Sequence, residues 1–198
     1  MLRRFVKNEK GFTGLEAAIV LIAFVTVAAV FSYVLLGAGF FATQKGQETV
    51  HTGVKQATSS MELVGSVVAM GDTSSDPNKI TNVTFTLQLA AGGQPIDLNK
   101  TVITVLVPAD GDYVEYVYSN ETLDETHYKV TWINSLQGDN PDNYLEEFEK
   151  AEVVVKLDNL NINENDDFIV EVKPPIGASY PIELKAPPAI DDVMVLLK

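Results

Sequence analysis

The chain has 198 residues, of which 14 are Lys or Arg and 27 are Asp or Glu, so its net charge is −13. A protein this acidic repels the phosphates of nucleic acids, and no basic patch compensates, which excludes nucleic acid as a partner. The absence of cysteine excludes a disulfide framework, a thiolate metal site and a cysteine nucleophile.

Residues 1–11 (MLRRFVKNEKG) form a short basic segment with four Lys or Arg residues and one Glu, which leaves ten basic and 26 acidic side chains in the rest of the chain. A basic segment directly before an apolar run resembles the start of an export signal, and positive charge favours the cytoplasmic side of a membrane. The apolar run is too long for an ordinary secretory signal, so an uncleaved membrane anchor is the simplest alternative.

Residues 17–44 (AAIVLIAFVTVAAVFSYVLLGAGFFATQ) contain no charged side chain. As a helix this run is roughly 40 Å long, enough to cross the hydrocarbon core of a bilayer. Its apolar residues lie on every side of the helix, which predicts burial in lipid or inside a larger assembly.

The junction between the two segments, residues 10–16 (KGFTGLE), places one carboxylate, Glu16, five residues after Gly11. A carboxylate at the edge of a membrane-spanning helix needs a partner. Cleavage after Gly11 creates one, the new α-amino group of Phe12, on the same chain or on a neighbouring copy. The alternative is that Glu16 extends to the membrane surface.

Residues 10–41 resemble the start of an archaellin, the archaeal flagellin, within the type IV pilin superfamily. The resemblance implies that residues 1–11 are a class III signal peptide, removed between Gly11 and Phe12 by a prepilin-type peptidase. Glu16 then holds the fifth mature position, where many pilins have Glu. The resemblance also implies that the precursor waits in the cytoplasmic membrane until an ATP-driven assembly platform moves it into a filament.

Residues 12–60 are predicted to form one polymerisation helix, since Val50, Val54 and Ala57 continue a helical spacing beyond the apolar run. The helix is expected to end near Ser59. The candidate assembly residues on it are Glu16, Val20, Leu21, Phe24, Val27, Phe31 and Leu35.

Residues 61–198 change to short apolar runs separated by turn signals. Strict alternation in 83–89 and 128–132 indicates half-buried strands. The predicted strands are 62–70, 83–89, 101–107, 113–118, 128–132, 152–157, 168–172, 180–184 and 193–197. They predict an antiparallel, immunoglobulin-like β-sandwich, so the fold class is α+β. Residues 142–150 are predicted to form one or two helical turns.

No combination of residues supports an enzyme, and no cofactor is expected. The two histidines, His51 and His127, lie in unrelated contexts and are interpreted as surface residues. The acidic loops 139–142 and 164–167 offer the oxygen ligands that Ca²⁺ prefers, but they lack the spacing of an EF-hand. Solvated loops without a metal are the favoured interpretation.

Three N-x-[ST] sequons, at Asn82, Asn99 and Asn120, lie in the predicted outer domain. They are candidate N-glycosylation sites, and the resemblance to archaellins, which commonly carry N-glycans, supports them. Asn82 opens a predicted strand, which restricts access to its side chain.

These features together predict a structural subunit that polymerises with itself and with other archaellins into the extracellular archaellum filament for swimming. Head-to-tail contacts that do not close give such a helical filament. One alternative is a type IV adhesion pilin, made by the same kind of machinery. Another, from a different class, is a monomeric membrane-anchored surface binding module, which would keep Met1.

Overall fold

The computed structural model describes residues 9–74, 78–138 and 142–197. One helix, α1 (Glu9–Thr58), comes first, and the chain divides into two compact units between Thr52 and Gly53. Residues 1–8, most of the predicted signal peptide, lie outside the described residues.

The helix α1 is 50 residues long and contains no proline, so nothing in its sequence removes a backbone hydrogen-bond donor. Near its end the Thr58 hydroxyl donates to the carbonyl of Val54 at 2.9 Å, and the Ser59 N–H donates to the carbonyl of Lys55 at 2.9 Å. These two contacts satisfy carbonyls in the last turns. The helix therefore ends where the sequence predicts.

The described residues after α1 form eleven strands, separated by turns and by one 3₁₀ turn at Leu98–Lys100. They are β1 (Met61–Asp72), β2 (Lys79–Leu89), β3 (Ile96–Asp97), β4 (Val102–Val107), β5 (Asp112–Ser119), β6 (His127–Asn134), β7 (Tyr144–Leu145), β8 (Lys150–Lys156), β9 (Asp167–Lys173), β10 (Tyr180–Lys185) and β11 (Val193–Leu197).

Nine of these strands form one sheet in the order β10-β9-β4-β5-β6-β8-β2-β1-β11, and β3 pairs with β7 in a small second sheet. Every pairing is antiparallel except that of β5 with β6, where Val117 lies opposite His127. This parallel pair joins two antiparallel groups of strands, one on each side of it.

Alternate side chains of both groups enter the same hydrophobic core. Phe85 of β2 and Val153 of β8 come from one group, and Ile103 of β4 and Phe168 of β9 come from the other. Since a sheet with one buried face must have that face covered, the two groups cover each other as the layers of a sandwich. The predicted helix followed by a β-sandwich is confirmed, with its layers joined by hydrogen bonds between β5 and β6.

The prediction of helical turns in residues 142–150 is wrong. Leu145 in β7 lies opposite Ile96 in β3, and both side chains are buried. The burial of this pair outweighs the local preference of an acidic segment for a helix.

Candidate assembly surface

The side chains of α1 are exposed throughout residues 14–57. From Gly14 to Thr58 the helix is long enough and apolar enough to cross a membrane. Fully burying one large aliphatic or aromatic side chain stabilises a protein by about 1.5–3 kcal/mol, so this exposed surface strongly favours burial in lipid or against other helices.

The predicted assembly residues lie on this surface. The side chains of Val20, Leu21, Phe24, Val27, Phe31 and Leu35 are between 56% and 74% exposed. At 100° per residue, five of them follow one stripe and Leu21 lies beside it, while Glu16 lies one turn before Val20 on the same stripe. The stripe is a continuous exposed apolar surface with one carboxylate at its beginning.

Two hydroxyl groups within the apolar run bond to the backbone of their own helix. The Thr26 hydroxyl donates to the carbonyl of Ala23 at 2.9 Å, and the Thr43 hydroxyl donates to the carbonyl of Gly39 at 2.9 Å. A hydroxyl that is already hydrogen-bonded costs much less to remove from water. Both threonines therefore remain compatible with burial of the whole run.

The predicted cleavage site lies on the same helix, since Gly11 and Phe12 both fall within α1. Glu16, which is exposed, follows Phe12 by one helical turn. The backbone therefore places the Glu16 side chain within one turn of the amino group that cleavage would create.

The three sequons differ in their surroundings. Asn99 lies exposed in the 3₁₀ turn, and Asn120 lies exposed directly after β5. Asn82 is half-buried within β2, and no donor among the described residues lies within hydrogen-bond reach of its buried Oδ1. Asn99 and Asn120 are therefore open to modification in the folded domain, and Asn82 is much less so.

The remaining polar candidates form no reactive site. The backbone N–H of Thr126 and the His127 ring, whose Nδ1 lies 2.8 Å from Asp124 Oδ1, lower the pKa of Asp124 to about 2. His51 is exposed on α1. Within residues 9–74, 78–138 and 142–197, no three His, Asp or Glu side chains are grouped to hold a metal ion.

The two acidic loops that were considered as cation sites differ in how much of each the structure describes. Residues 139–141 of the first loop lie outside the described residues. In the second, Asp166 accepts the Asn163 N–H at 2.8 Å and Asp167 pairs with Lys185 at 2.9 Å. Both carboxylates thus already have partners within the protein.

Among its described residues, the sheet domain exposes two apolar patches that sequence reasoning missed. The apolar knob consists of Ile133, Leu136 and Phe148, beside the adjoining ends of β6 and β8. The edge stripe consists of exposed side chains of β1 and the edge strand β11, which are Met70, Val193, Val195 and Leu197. One signal was present in the sequence, because Phe148 is an isolated aromatic residue in the acidic run EEFEK.

A long exposed helix, apolar on every side, that precedes a β-sheet domain with its own core defines a class of protein whose helix is buried in lipid or against other helices. A family model described as archaeal-type flagellin matches residues 11–184. The chain is similar to Probable flagellin 1 of Archaeoglobus fulgidus, with 79% identity over 202 residues and 98% of each chain covered. It is also similar to Probable flagellin 2 of that organism, with 40% identity over 203 residues and 96% of each chain covered.

A solved structure, the archaeal flagellum of Methanospirillum hungatei strain JF1, matches with a TM-score of 0.73 at 30% identity, covering 93% of this chain and 99% of that chain. The chain belongs to the archaeal-type flagellin family. It is a structural subunit of the extracellular archaellum filament, which serves motility, and it is not an enzyme.

Proposed function

We propose that residues 1–11 are a class III signal peptide and that a prepilin-type peptidase cleaves the chain between Gly11 and Phe12. Residues 12–60 then form the helical core of the filament, and residues 61–198 form its outer domain. The exposure of the whole apolar surface of α1 is the observation that carries this proposal. The family model, which begins its match at residue 11, supports the position of the cleavage site.

The helix occupies two environments in succession. Before assembly it lies in the cytoplasmic membrane, and an ATP-driven platform then moves it into the filament beside helices of other copies and of related flagellins. Lipid tails and apolar side chains solvate an apolar helix about equally well, so close packing has to favour the filament. Small residues such as Ala28, Ala29 and Gly37 allow that close approach.

Glu16 has a specific role in this account. Once the helix is surrounded by apolar groups, an unpaired carboxylate is costly. The amino group of Phe12, one turn away on its own chain or on a neighbouring copy, neutralises that charge. Pairing between copies would also fix the register of adjacent helices along the filament axis.

N-linked glycans at Asn99 and Asn120 complete the proposal, since both side chains are exposed on the outer domain. Glycans at these positions would shield the filament surface without entering the helical core.

The experiment that tests this function is mass spectrometry of the subunit in sheared extracellular filaments. A terminal peptide that begins at Phe12 is expected. Retention of Met1 on a membrane-bound monomer that is absent from filaments would refute cleavage and assembly together and favour a membrane-anchored binding module.

Two matched variants test the helical core. Leu21→Lys introduces a charge into the apolar surface of α1, so we expect filaments to be lost while the sheet domain stays folded. Thr131→Lys adds the same charge at an exposed position of β6 and should leave assembly intact. Normal filaments from Leu21→Lys would contradict the proposed core.

A further inference from the structure

The apolar knob is built from unusual backbone features, and the first is a β-bulge. Trp132 lies opposite Ala151 and Asn134 lies opposite Lys150, so Ile133 is an extra residue in β6. Its side chain is exposed. Bulges recur where a protein redirects a side chain next to a functional site.

The second feature is the conformation of Phe148. The Glu149 N–H donates to the carbonyl of Glu146 at 3.2 Å, which closes a tight turn with Phe148 at its third position. Phe148 has φ +70°, a value that glycine and asparagine adopt far more readily. Its side chain is nevertheless 75% exposed. The protein accepts backbone strain here and recovers no burial of the aromatic ring in return.

The third feature is a buried carboxylate that holds the two loops together. Glu149 is 3% exposed and accepts the N–H of Leu136 at 2.8 Å, the hydroxyl of Ser135 at 3.2 Å and the N–H of Glu146 at 3.0 Å. Both loops are therefore fixed in place. Leu136 and Phe148 project from a rigid base, as contact residues at protein interfaces do.

Folding alone does not explain this arrangement. Glycine or asparagine at position 148 would relieve the strain, and polar side chains at the exposed positions would improve solubility. Strained residues that the surrounding structure holds in place are typical of binding sites. The knob thus has the properties of a contact surface that needs a partner.

We propose that the apolar knob docks on α1 of a second copy of this chain, at the hole formed by Val50, Gly53, Val54 and Ala57. This inference rests on the proposed assembly through α1. The four residues have the i, i+3, i+4, i+7 spacing that receives one side chain of a packing partner, and all four are exposed. The glycine leaves space for a large ring, since no atom lies within 4 Å of a Cβ built there.

Charge favours this partner. Phe148 is flanked by Glu146 and by the exposed Glu147, whereas residues 49–57 of α1, which contain the hole, carry Lys55 and no acidic side chain. Lys45, one turn earlier, is already paired with Glu48 at 2.6 Å. The acidic side chains beside Phe148 and the Lys55 side chain beside the hole have opposite charges, which attract across an interface. The edge stripe is a poorer partner, because Asp191 and Asp192 lie directly beside it.

The position of the knob within the sheet also favours docking on α1. Lys150, two residues after Phe148, pairs with Gln88, and the next residue, Leu89, pairs with Met61 at the start of β1. The knob therefore lies at the end of the sheet at which the chain enters from α1.

Pairs of cysteines test the contact directly, because the chain has no cysteine of its own. We expect native filaments of the Phe148→Cys, Val54→Cys double variant to form disulfides between copies under mild oxidation and to run as a ladder of multimers. A disulfide within one chain, or no disulfide in intact filaments, would overturn the proposal. A ladder from Phe148→Cys with Val195→Cys would overturn it too, in favour of the edge stripe.

The variant Phe148→Gly removes an exposed ring and relieves the backbone strain, so we expect the sheet domain to stay folded and a loss of assembly to report the lost contact. We expect about a tenfold drop in filaments recovered by shearing, at an unchanged level of subunit in the cell. Asn165→Gly, at another exposed residue with positive φ (+65°), is the matched control and should assemble normally. Unchanged filament yield from Phe148→Gly would refute the docking.

The proposed function and the docking of the knob can be refuted separately. If wild-type subunits are absent from filaments, the proposed function is wrong. If wild-type filaments begin at Phe12 and the cysteine pair stays unlinked, only the docking of the knob is wrong.

Discussion

The junction between α1 and the sheet contains a contact that tolerates only glycine. Gly177 has φ +111°, and a Cβ added to it would lie 2.0 Å from the carbonyl oxygen of Ser59. Ser59 is buried, and its N–H donates to Lys55. The next residue, Ser60, accepts the N–H of Ala90 at 3.0 Å. The Cβ that Gly177→Ala introduces would therefore collide with the backbone of Ser59, which the hydrogen bonds of Ser59 and Ser60 hold in place.

The expected cost of Gly177→Ala follows from these contacts. A positive φ costs a residue with a Cβ about 1–2 kcal/mol. Relieving the contact needs a shift of about 1.5 Å, from 2.0 Å to an ordinary separation near 3.5 Å, which is enough to break the hydrogen bonds of Ser59 and Ser60. Each lost bond adds about 1 kcal/mol. The free energy of unfolding should thus fall by about 3–4 kcal/mol.

The assay is urea unfolding of a fragment comprising Gly53–Lys198, followed by the fluorescence of Trp132, the single tryptophan, which packs against the core. Gly92→Ala is the matched control, because Gly92 has φ +76° and no atom lies within 4 Å of its added Cβ. It should lose only the conformational part, about 1–2 kcal/mol. Equal losses in the two variants would refute the importance of the contact with Ser59.

Three further predictions use the same domain. Tyr128→Phe removes a buried hydroxyl that lies 2.8 Å from the carbonyl of Leu98, and should lower the free energy of unfolding by about 1–2 kcal/mol in urea. The lowered pKa of Asp124 stabilises the fold above about pH 4 and ceases to do so as pH falls towards 2, so Asp124→Asn should flatten the loss of stability in that range. Mass spectrometry of native subunits should find glycan at Asn120 and none at Asn82, and the reverse pattern would contradict the exposure argument.

Alternation of apolar and polar residues predicted β2, β6, β9 and β10, because buried side chains alternate with more exposed ones along each of them. Short apolar runs between turn signals predicted the other five strands of the sheet. The start of β2 lies four residues earlier than predicted, since Ile80 is buried and its N–H donates to the carbonyl of Ile162. That bond joins residues far apart in the sequence, and no local pattern encodes it. The two-residue strands β3 and β7 escaped prediction for the same reason, because they exist only through their pairing with each other.

The apolar run of α1 and the apolar knob also differ in how far the sequence predicts them. The apolar run of α1 was identifiable from sequence because 28 residues without charge have few uses in a folded protein. The apolar knob was not, since its residues come from two loops that a buried carboxylate, Glu149, brings together. Strain at Phe148 is visible only as a backbone angle. Sequence reveals surfaces made by one element, whereas surfaces made by several require the fold.

The length of α1 determines where the proposed hole lies relative to the membrane. Its apolar run ends at Gln44, and residues 45–58 add about 21 Å of polar helix before β1 begins. The headgroup region of a bilayer is only about 5–8 Å thick on each side, so this segment extends beyond it. The proposed hole at Val50 and Val54 therefore stays in water while the precursor waits in the membrane. In the proposed filament this hole receives the knob of another copy, so the contact would form during assembly and not in the membrane.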